Sequence, residues 1–324
     1  MENIFRQIQY PFSFDFCPFL EEADKNILEW IKSFDLLPTE DAVQRYQREN
    51  YVRWAARTFP FADKSGFLLA ASWSALFFIV DDIIAAAGST KVAHTLNSIK
   101  QGAIDVLIHD KSIERGTDSN FAACFSDLWQ RMKKHTDQEW QQWFVEESIK
   151  MFKAWEMELA LQMPDKKMDL ETYIKMRPYF SGGHMVVCLL SLATKHNFPT
   201  YIYKHDTIQQ LQLMAIRMAS WANDIHSLGK ELTKEGTGNL VSLFMEEKQL
   251  SLREALDETI KLHNSDLAKF LTLEASLPSF GLEIDPEVKK YVRALKAVVS
   301  GSHEWAVNET DRYHETELLL ENIT

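Results

Sequence analysis

Turn formers are scarce in this chain of 324 residues. It has 11 glycines and 9 prolines, about half of the share of about 12% usual for the two together. A sandwich or barrel needs a tight connection every few residues, so neither fits this composition. Basic charge is also short: 35 Lys and Arg stand against 47 Asp and Glu, a net −12. A general nucleic-acid binder needs a basic surface, and so does electrostatic docking on an anionic membrane. Any anionic ligand must therefore meet a local cluster of cations or metal ions. Cysteine is nearly absent. Cys17, Cys124 and Cys188 lie far apart, are odd in number and fit no CxxC or zinc spacing. A reduced, cytoplasmic setting is the expectation. The opening MENIFRQIQYPFSFDF lacks a basic start followed by a long apolar run, so it does not read as a signal peptide.

What is present is an ordinary globular balance, 46% hydrophobic and 25% charged, with helical periodicity through most of its length. The expected class is all-α: a single-domain helical bundle over 1–324, with no linker or repeat. Residues 1–38 hold Pro11, Pro18 and Pro38 among crowded aromatics. They read as an extended arm and a short helix packed on the bundle. Thr39-Glu40-Asp41 reads as a helix start. Helices are then expected over about 61–87, 90–109, 118–135, 137–162, 169–178, 184–196, 202–232, 250–276 and 286–316. Gly182-Gly183 interrupts one apolar stretch, and Thr233–Asn239 and Pro278–Pro286 read as loops. The longest apolar run, Phe67 to Val80, covers 14 residues and then meets Asp81-Asp82. A membrane span needs about 20 residues and tolerates central carboxylates poorly. A helix at the centre of a bundle, with no membrane insertion, is the better reading.

Four places carry possible chemistry. Asp81 and Asp82 end the apolar run. Unpaired carboxylates there are costly, so they mark a helix end at the surface, a pairing with Arg or Lys, or a divalent cation. Asn223, Ser227 and Glu231 are spaced i, i+4, i+8. On a helix each step of four advances about 400°, so all three fall within about 80° of one face. Three different oxygen donors along two turns suit a hard cation such as Mg2+. A polar outer stripe is the alternative. Arg177 stands before Pro178 and the paired glycines, where a helix break exposes backbone polar groups. It is either a bidentate phosphate clamp or a surface arginine. Arg312-Tyr313 follows Trp305 by about two turns. The pair could close a pocket mouth, or simply belong to a packed C-terminal helix.

The order and separation of these four features resemble a class I terpene synthase of the microbial single-domain type. The aspartate-rich motif is matched in part at Asp81-Asp82, with Ala85 and Ala86 where the third acid would stand. The second metal motif is complete as Asn223, Asp224, Ser227 and Glu231, with its common Lys at Lys230. Arg177 precedes Asn223 by 46 positions, the spacing of the family's diphosphate-sensing arginine. Arg312-Tyr313 supplies the C-terminal pair. The likeness spans about Phe59 to Tyr313.

The resemblance implies a bundle with a central apolar cavity open at one end, and a linear prenyl diphosphate as substrate. Farnesyl diphosphate is favoured, with geranylgeranyl diphosphate next. Asp81, with Asp82 as a second candidate, and Asn223, Ser227 and Glu231 would hold Mg2+, three ions in the family. Arg177, Lys230, Arg312 and Tyr313 would bind the diphosphate. Aromatic faces stabilise cations, and Phe77, Phe78 and Trp305, with Trp73 weaker, are candidate walls; core packing is the competing role for each. A carbonyl at Ser181 or Gly182 would be aimed at the ionising carbon. Homodimers are common in the family. A chain-elongating prenyl diphosphate synthase is the alternative with the same fold, and a non-catalytic helical binding protein is another. The first would carry a second aspartate-rich motif in place of Asn223, Ser227 and Glu231. The missing third acid is the feature that favours the second.

Overall fold

The computed structural model describes residues 4–86, 91–116, 119–161, 168–195, 199–232 and 238–321. Among them every regular element is helical. The chain packs as two compact units. The first holds residues 16–148 and 188–195, the second 1–15, 149–187 and 196–324.

In chain order, α1 is Leu20–Lys32, α2 Glu40–Glu49, α3 Tyr51–Thr58 and α4 Lys64–Ala86. Then come α5 Val92–Leu107, α6 Asn120–Lys133, α7 Gln138–Leu161, α8 Leu170–Phe180 and α9 Gly183–Thr194. The rest are α10 Thr200–Tyr203, α11 Asp206–His226, α12 Leu228–Leu232, α13 Leu240–Lys248, α14 Leu252–Ala275, α15 Asp285–Asn308 and α16 His314–Glu321.

In the first unit, α2 starts where Thr39 Oγ1 accepts the Ala42 amide at 3.1 Å, with Glu40 and Asp41 in the first turn. Both features favour a helix N-terminus. The helix stops at Asn50, whose φ of 54° is left-handed, a conformation Asn tolerates. Helix α4 is the apolar run. Phe67, Ala70, Ala71 and Ala75 on it are fully buried. At Gly66 an added Cβ would lie 2.6 Å from the Ala193 carbonyl oxygen, so only glycine lets α4 and α9 approach this closely. Length and composition would let Lys64–Ile84 cross a membrane, but 61% of its apolar window is buried inside the protein.

In the second unit, α11 packs chiefly on α14 and α15, burying Trp221 and Ile225 completely. The expected helix over 202–232 is divided, because Ser227 relaxes to ψ −2° between α11 and α12. The Ser227 hydroxyl donates to the Asn223 carbonyl at 2.8 Å, a back-bond that commonly bends helices. The expected helix over 286–316 ends at Asn308, which puts Arg312 and Tyr313 in the connection to α16. Helix α13 was not expected at all. Its signal is Asn239, whose side chain accepts the Val241 amide at 2.9 Å as the N-cap.

The N-terminal arm joins the second unit's core. A 3-10 turn at Ile4–Gln7 replaces the expected extended start. Ile4, Phe5 and Ile8 are buried against Ile225, Leu228, Val241 and Leu256. Tyr10 then lays its hydroxyl 2.7 Å from His263 Nε2 and its ring edge-on to His303. His303 stacks loosely on His226, with ring centroids 5.1 Å apart. Burial lowers the pKa of all three histidines, that of His303 to about 4. A depressed histidine stabilises the fold above its unfolded pKa near 6.5 and loses that contribution as pH falls toward 4. Going from pH 7.5 to 5 should cost about 2 kcal/mol through His303. Its Nδ1 has no partner among the described residues, so His303→Phe breaks no bond at that atom. We predict a smaller fall in melting temperature between pH 7.5 and 5 for this variant than for wild type. Equal falls would refute the assignment.

Candidate active site

The centre of the second unit is a hydrogen-bonded cluster built on one turn of α11. Asp224 is fully buried. Its Oδ1 accepts Arg177 Nε at 2.8 Å and Nη2 at 2.7 Å. Its Oδ2 accepts the Tyr173 hydroxyl at 3.0 Å and the Leu240 amide at 3.3 Å. Arg177 and Tyr173 lie four residues apart on α8, hence on one face. Arg177 Nη2 also donates to Asn223 Oδ1 at 2.8 Å, and Asn223 Nδ2 donates to the Tyr313 hydroxyl at 2.9 Å. The structure thus brings together three of the residues singled out from sequence: Arg177, Asn223 and Tyr313.

Ser227 and Glu231 complete the set. Ser227 is buried, and the Glu231 backbone amide donates to its carbonyl at 3.0 Å, which keeps the helical spacing across the break. The Glu231 side chain accepts from Asn239 Nδ2 at 2.7 Å. Burial and the nearby Asp224 charge push its carboxyl up to about 7. Burial also raises the Asp224 pKa, and Arg177 pulls it back. Arg177 is desolvated as well, but Asp224 outweighs this and holds its pKa above the usual value. Two carboxylates sharing one buried arginine form a site that a cation would relieve. An amide oxygen, a hydroxyl and a carboxylate are the donors Mg2+ takes. Among the described residues no cluster of three His, Cys, Asp or Glu side chains is arranged to hold a metal, so this set differs from a thiolate or imidazole centre. The residues fit a hard divalent ion.

Of the remaining candidates in this unit, Lys230 lies partly buried on α12. Arg312 is buried, and its backbone amide donates to Thr310 Oγ1 at 3.2 Å. Trp305 is only 2% exposed and meets Tyr313 edge-on at 5.8 Å. That burial agrees with the packing alternative for Trp305 and sets its ring beside Tyr313.

The break after α8 refines the Gly182 expectation. Gly182 has φ +69°, a conformation that costs other residues about 1–2 kcal/mol. Its carbonyl accepts Met185 and Val186 amides at 2.9 and 3.3 Å, so it belongs to the first turn of α9. The Phe180 carbonyl is taken by Trp155 Nε1 at 3.0 Å. The Ser181 carbonyl accepts no hydrogen bond among the described residues. Of the two candidates, Ser181 is the one able to aim a carbonyl elsewhere. Gly182→Ala should strain this turn and lower turnover about tenfold or more through misplacement. Binding of Mg2+ with inorganic pyrophosphate should stay within about threefold, since no donor is lost. Unchanged turnover would dismiss the turn's role.

In the first unit, Asp81 is exposed at the end of α4 while Asp82 is mostly buried. Asp82 Oδ1 accepts Arg45 Nη2 at 2.9 Å, and Oδ2 accepts the Tyr51 hydroxyl at 2.6 Å. Arg45 Nε reaches Glu49 at 2.7 Å, and the Tyr51 hydroxyl also contacts Glu49. Asp82 therefore takes the cation-paired alternative. Phe78 stacks on Tyr51 at 4.6 Å and Phe77 on Trp73 at 5.0 Å, and both phenylalanines remain partly exposed. Trp73 is 6% exposed.

A sequence model described as terpene synthase family 2, C-terminal metal binding, matches residues 72–269. The chain belongs to the terpene synthase family. The match takes in Asp81, Arg177, Asn223, Ser227 and Glu231, and ends before Arg312-Tyr313. This terpene synthase is 26% identical over 311 residues to germacrene A synthase of Nostoc punctiforme, covering 94% of this chain and 95% of that protein. It is 27% identical to (+)-T-muurolol synthase ((2E,6E)-farnesyl diphosphate cyclizing) of Roseiflexus castenholzii, covering 96% and 94%. Its fold matches the crystal structure of α-eudesmol synthase with a TM-score of 0.80, at 20% identity and coverage of 93% and 98%. The linalool/nerolidol synthase of Streptomyces clavuligerus in complex with 2-fluorogeranyl diphosphate matches with a TM-score of 0.80, at 21% identity and coverage of 90% and 99%. The protein is thus an enzyme, a lyase acting on a prenyl diphosphate with divalent metal.

Each unit contains residues that the sequence reading left without a role. Tyr173 was legible as the i−4 neighbour of Arg177. Asn239 was legible as an N-cap before the apolar LVSLF. Arg45 and Tyr51 carry no local signal toward Asp82.

Proposed function

We propose that this terpene synthase ionises farnesyl diphosphate with Mg2+ and closes the allylic cation to a cyclic sesquiterpene hydrocarbon or alcohol, releasing diphosphate. The observation that carries the reading is Arg177 bonded at once to Asn223 and Asp224, with Tyr313 on the same Asn223 amide. It joins a hard-metal donor set to anion-binding donors in one network. The printed name of (+)-T-muurolol synthase, with its farnesyl diphosphate substrate, supports the chain length.

Asn223, Ser227 and Glu231 would hold Mg2+, with Asp81 as a further carboxylate ligand and three ions in all. When bound, Mg2+ supplies Lewis acidity toward the leaving group and neutralises its charge. Arg177, whose Nη2 donates to Asn223 Oδ1 in this structure, would supply guanidinium donors to the diphosphate. Tyr313, held by Asn223, directs its own proton to a diphosphate oxygen, with Arg312 and Lys230 as charged neighbours. These donors stabilise the charge that builds as the C–O bond breaks. Phe77 and Phe78 offer ring faces to the cation, which attract it without supplying a lone pair. Asp82, fixed by Arg45 and Tyr51, anchors the turn that carries Asp81.

The test is a product assay by gas chromatography–mass spectrometry. Purified protein is incubated with geranyl, farnesyl, geranylgeranyl and farnesylgeranyl diphosphates, with and without Mg2+. A cyclic product from farnesyl diphosphate, with Mg2+ alone, is expected. A requirement for isopentenyl diphosphate would indicate chain elongation. Intact diphosphates throughout would overturn the reading.

A further inference from the structure

Asn239 stands outside every motif considered so far, yet its side-chain amide nitrogen is committed to the candidate metal-ligand cluster. It is 1% exposed. Its Oδ1 caps α13, a task that needs an acceptor only and that Ser or Thr performs as well. What Asn adds is an amide donor. Nδ2 donates to Glu231 Oε2 at 2.7 Å and to the Asp224 carbonyl at 2.8 Å. One side chain therefore ties the start of α13 to the backbone of α11 and to the carboxylate on α12.

We propose that Asn239 is the positioning residue for Glu231. With Oε2 held, the carboxylate cannot rotate about its last bond, and the direction of its other oxygen is set before a metal arrives. The charge pattern explains the choice of a neutral donor. An aspartate here would add a third carboxylate beside Glu231 and Asp224, and a serine would cap the helix without reaching Glu231. Partners that orient metal ligands typically change metal affinity about 10- to 100-fold when removed. The inference rests on the metal and diphosphate reading above.

The test compares wild type with Asn239→Ser and Asn239→Thr, both of which keep an N-cap acceptor, and with Asn239→Ala, which does not. Mg2+ binding in the presence of inorganic pyrophosphate is measured by calorimetry, and thermal unfolding is measured without either. Asn239→Ser should weaken Mg2+ binding about tenfold or more while unfolding at a higher temperature than Asn239→Ala. Saturating Mg2+ should restore most of its turnover, a recovery that a damaged fold would not show. Asn239→Thr serves in the same way should the serine variant not fold. Binding equal to wild type in a folded capped variant would overturn the proposal alone. Failure of wild type itself to bind Mg2+ with pyrophosphate would remove the underlying reading, and the proposal with it.

Discussion

Glu231→Gln is expected to destroy turnover and to make the fold more stable. The catalytic loss follows from the donor set. Gln keeps one neutral oxygen but no charge to hold the metal, and a metal that neutralises a leaving group contributes several kcal/mol. A loss of about a thousandfold corresponds to about 4 kcal/mol. The gain in stability has a separate cause. A carboxyl held at about 7 in place of 4.5 is buried at a cost when ionised, on the order of 3 kcal/mol. Part of the Glu231 side chain still reaches water, and that screening brings the figure nearer 1–2 kcal/mol. The sign follows from linkage. A raised carboxyl favours the fold below its unfolded pKa, and that contribution is lost as pH rises through about 7. The variant should therefore melt above wild type at pH 8, and the gap should close as pH falls toward 4.5. Thermal unfolding at the two pH values, beside a turnover assay, checks both halves. A variant that melts below wild type at pH 8 would refute the electrostatic account, and one that retains turnover would refute the ligand role.

Arg177 carries two roles that a pair of substitutions can separate. Its side chain is 12% exposed and Asp224 is fully buried. Arg177→Met should strand the Asp224 charge, and breaking one side of such a pair costs about 3–5 kcal/mol. Asp224→Asn in the same chain removes the stranded charge and leaves an acceptor for Tyr173. The double variant should recover most of the melting temperature. It should not recover turnover, because the diphosphate has lost its bidentate donor. Removing one such donor costs about 100- to 1000-fold. Pyrophosphate binding should fall with turnover in both variants. A double variant regaining turnover would show that Arg177 acts through the fold alone. A single variant as stable as wild type would show that the buried pair contributes little.

The common face of Asn223, Ser227 and Glu231 was legible because it is local. The three obey one helical period, and the Glu231 amide still bonds to the Ser227 carbonyl across the break. The helix class followed from the shortage of turn formers and from apolar spacing, and both survive in α4, α11, α14 and α15. The break at Ser227 was not legible, since it depends on a hydroxyl choosing the Asn223 carbonyl over other partners. The end of α15 at Asn308 has no proline or glycine to announce it. The Gly182 turn was marked by its residue type, but which carbonyl it leaves unbonded depended on where α9 begins.

Charge pairing lay further still from sequence. Arg177 and Asp224 are 47 positions apart, and Arg45 and Asp82 are 37. No period relates such residues; each buried carboxylate takes the cation that packing brings within reach. Asn239 is the clearest case. Its place before an apolar run specifies a helix cap, because capping is a contact with the next few residues. That its amide also bonds Glu231 was decided by the packing that brings the start of α13 to the carboxylate on α12. Contacts within a few residues are governed by backbone geometry, and the chain's composition and spacing determined them here. Contacts between distant segments are governed by which buried polar groups must be satisfied together, and only the packed structure decided those.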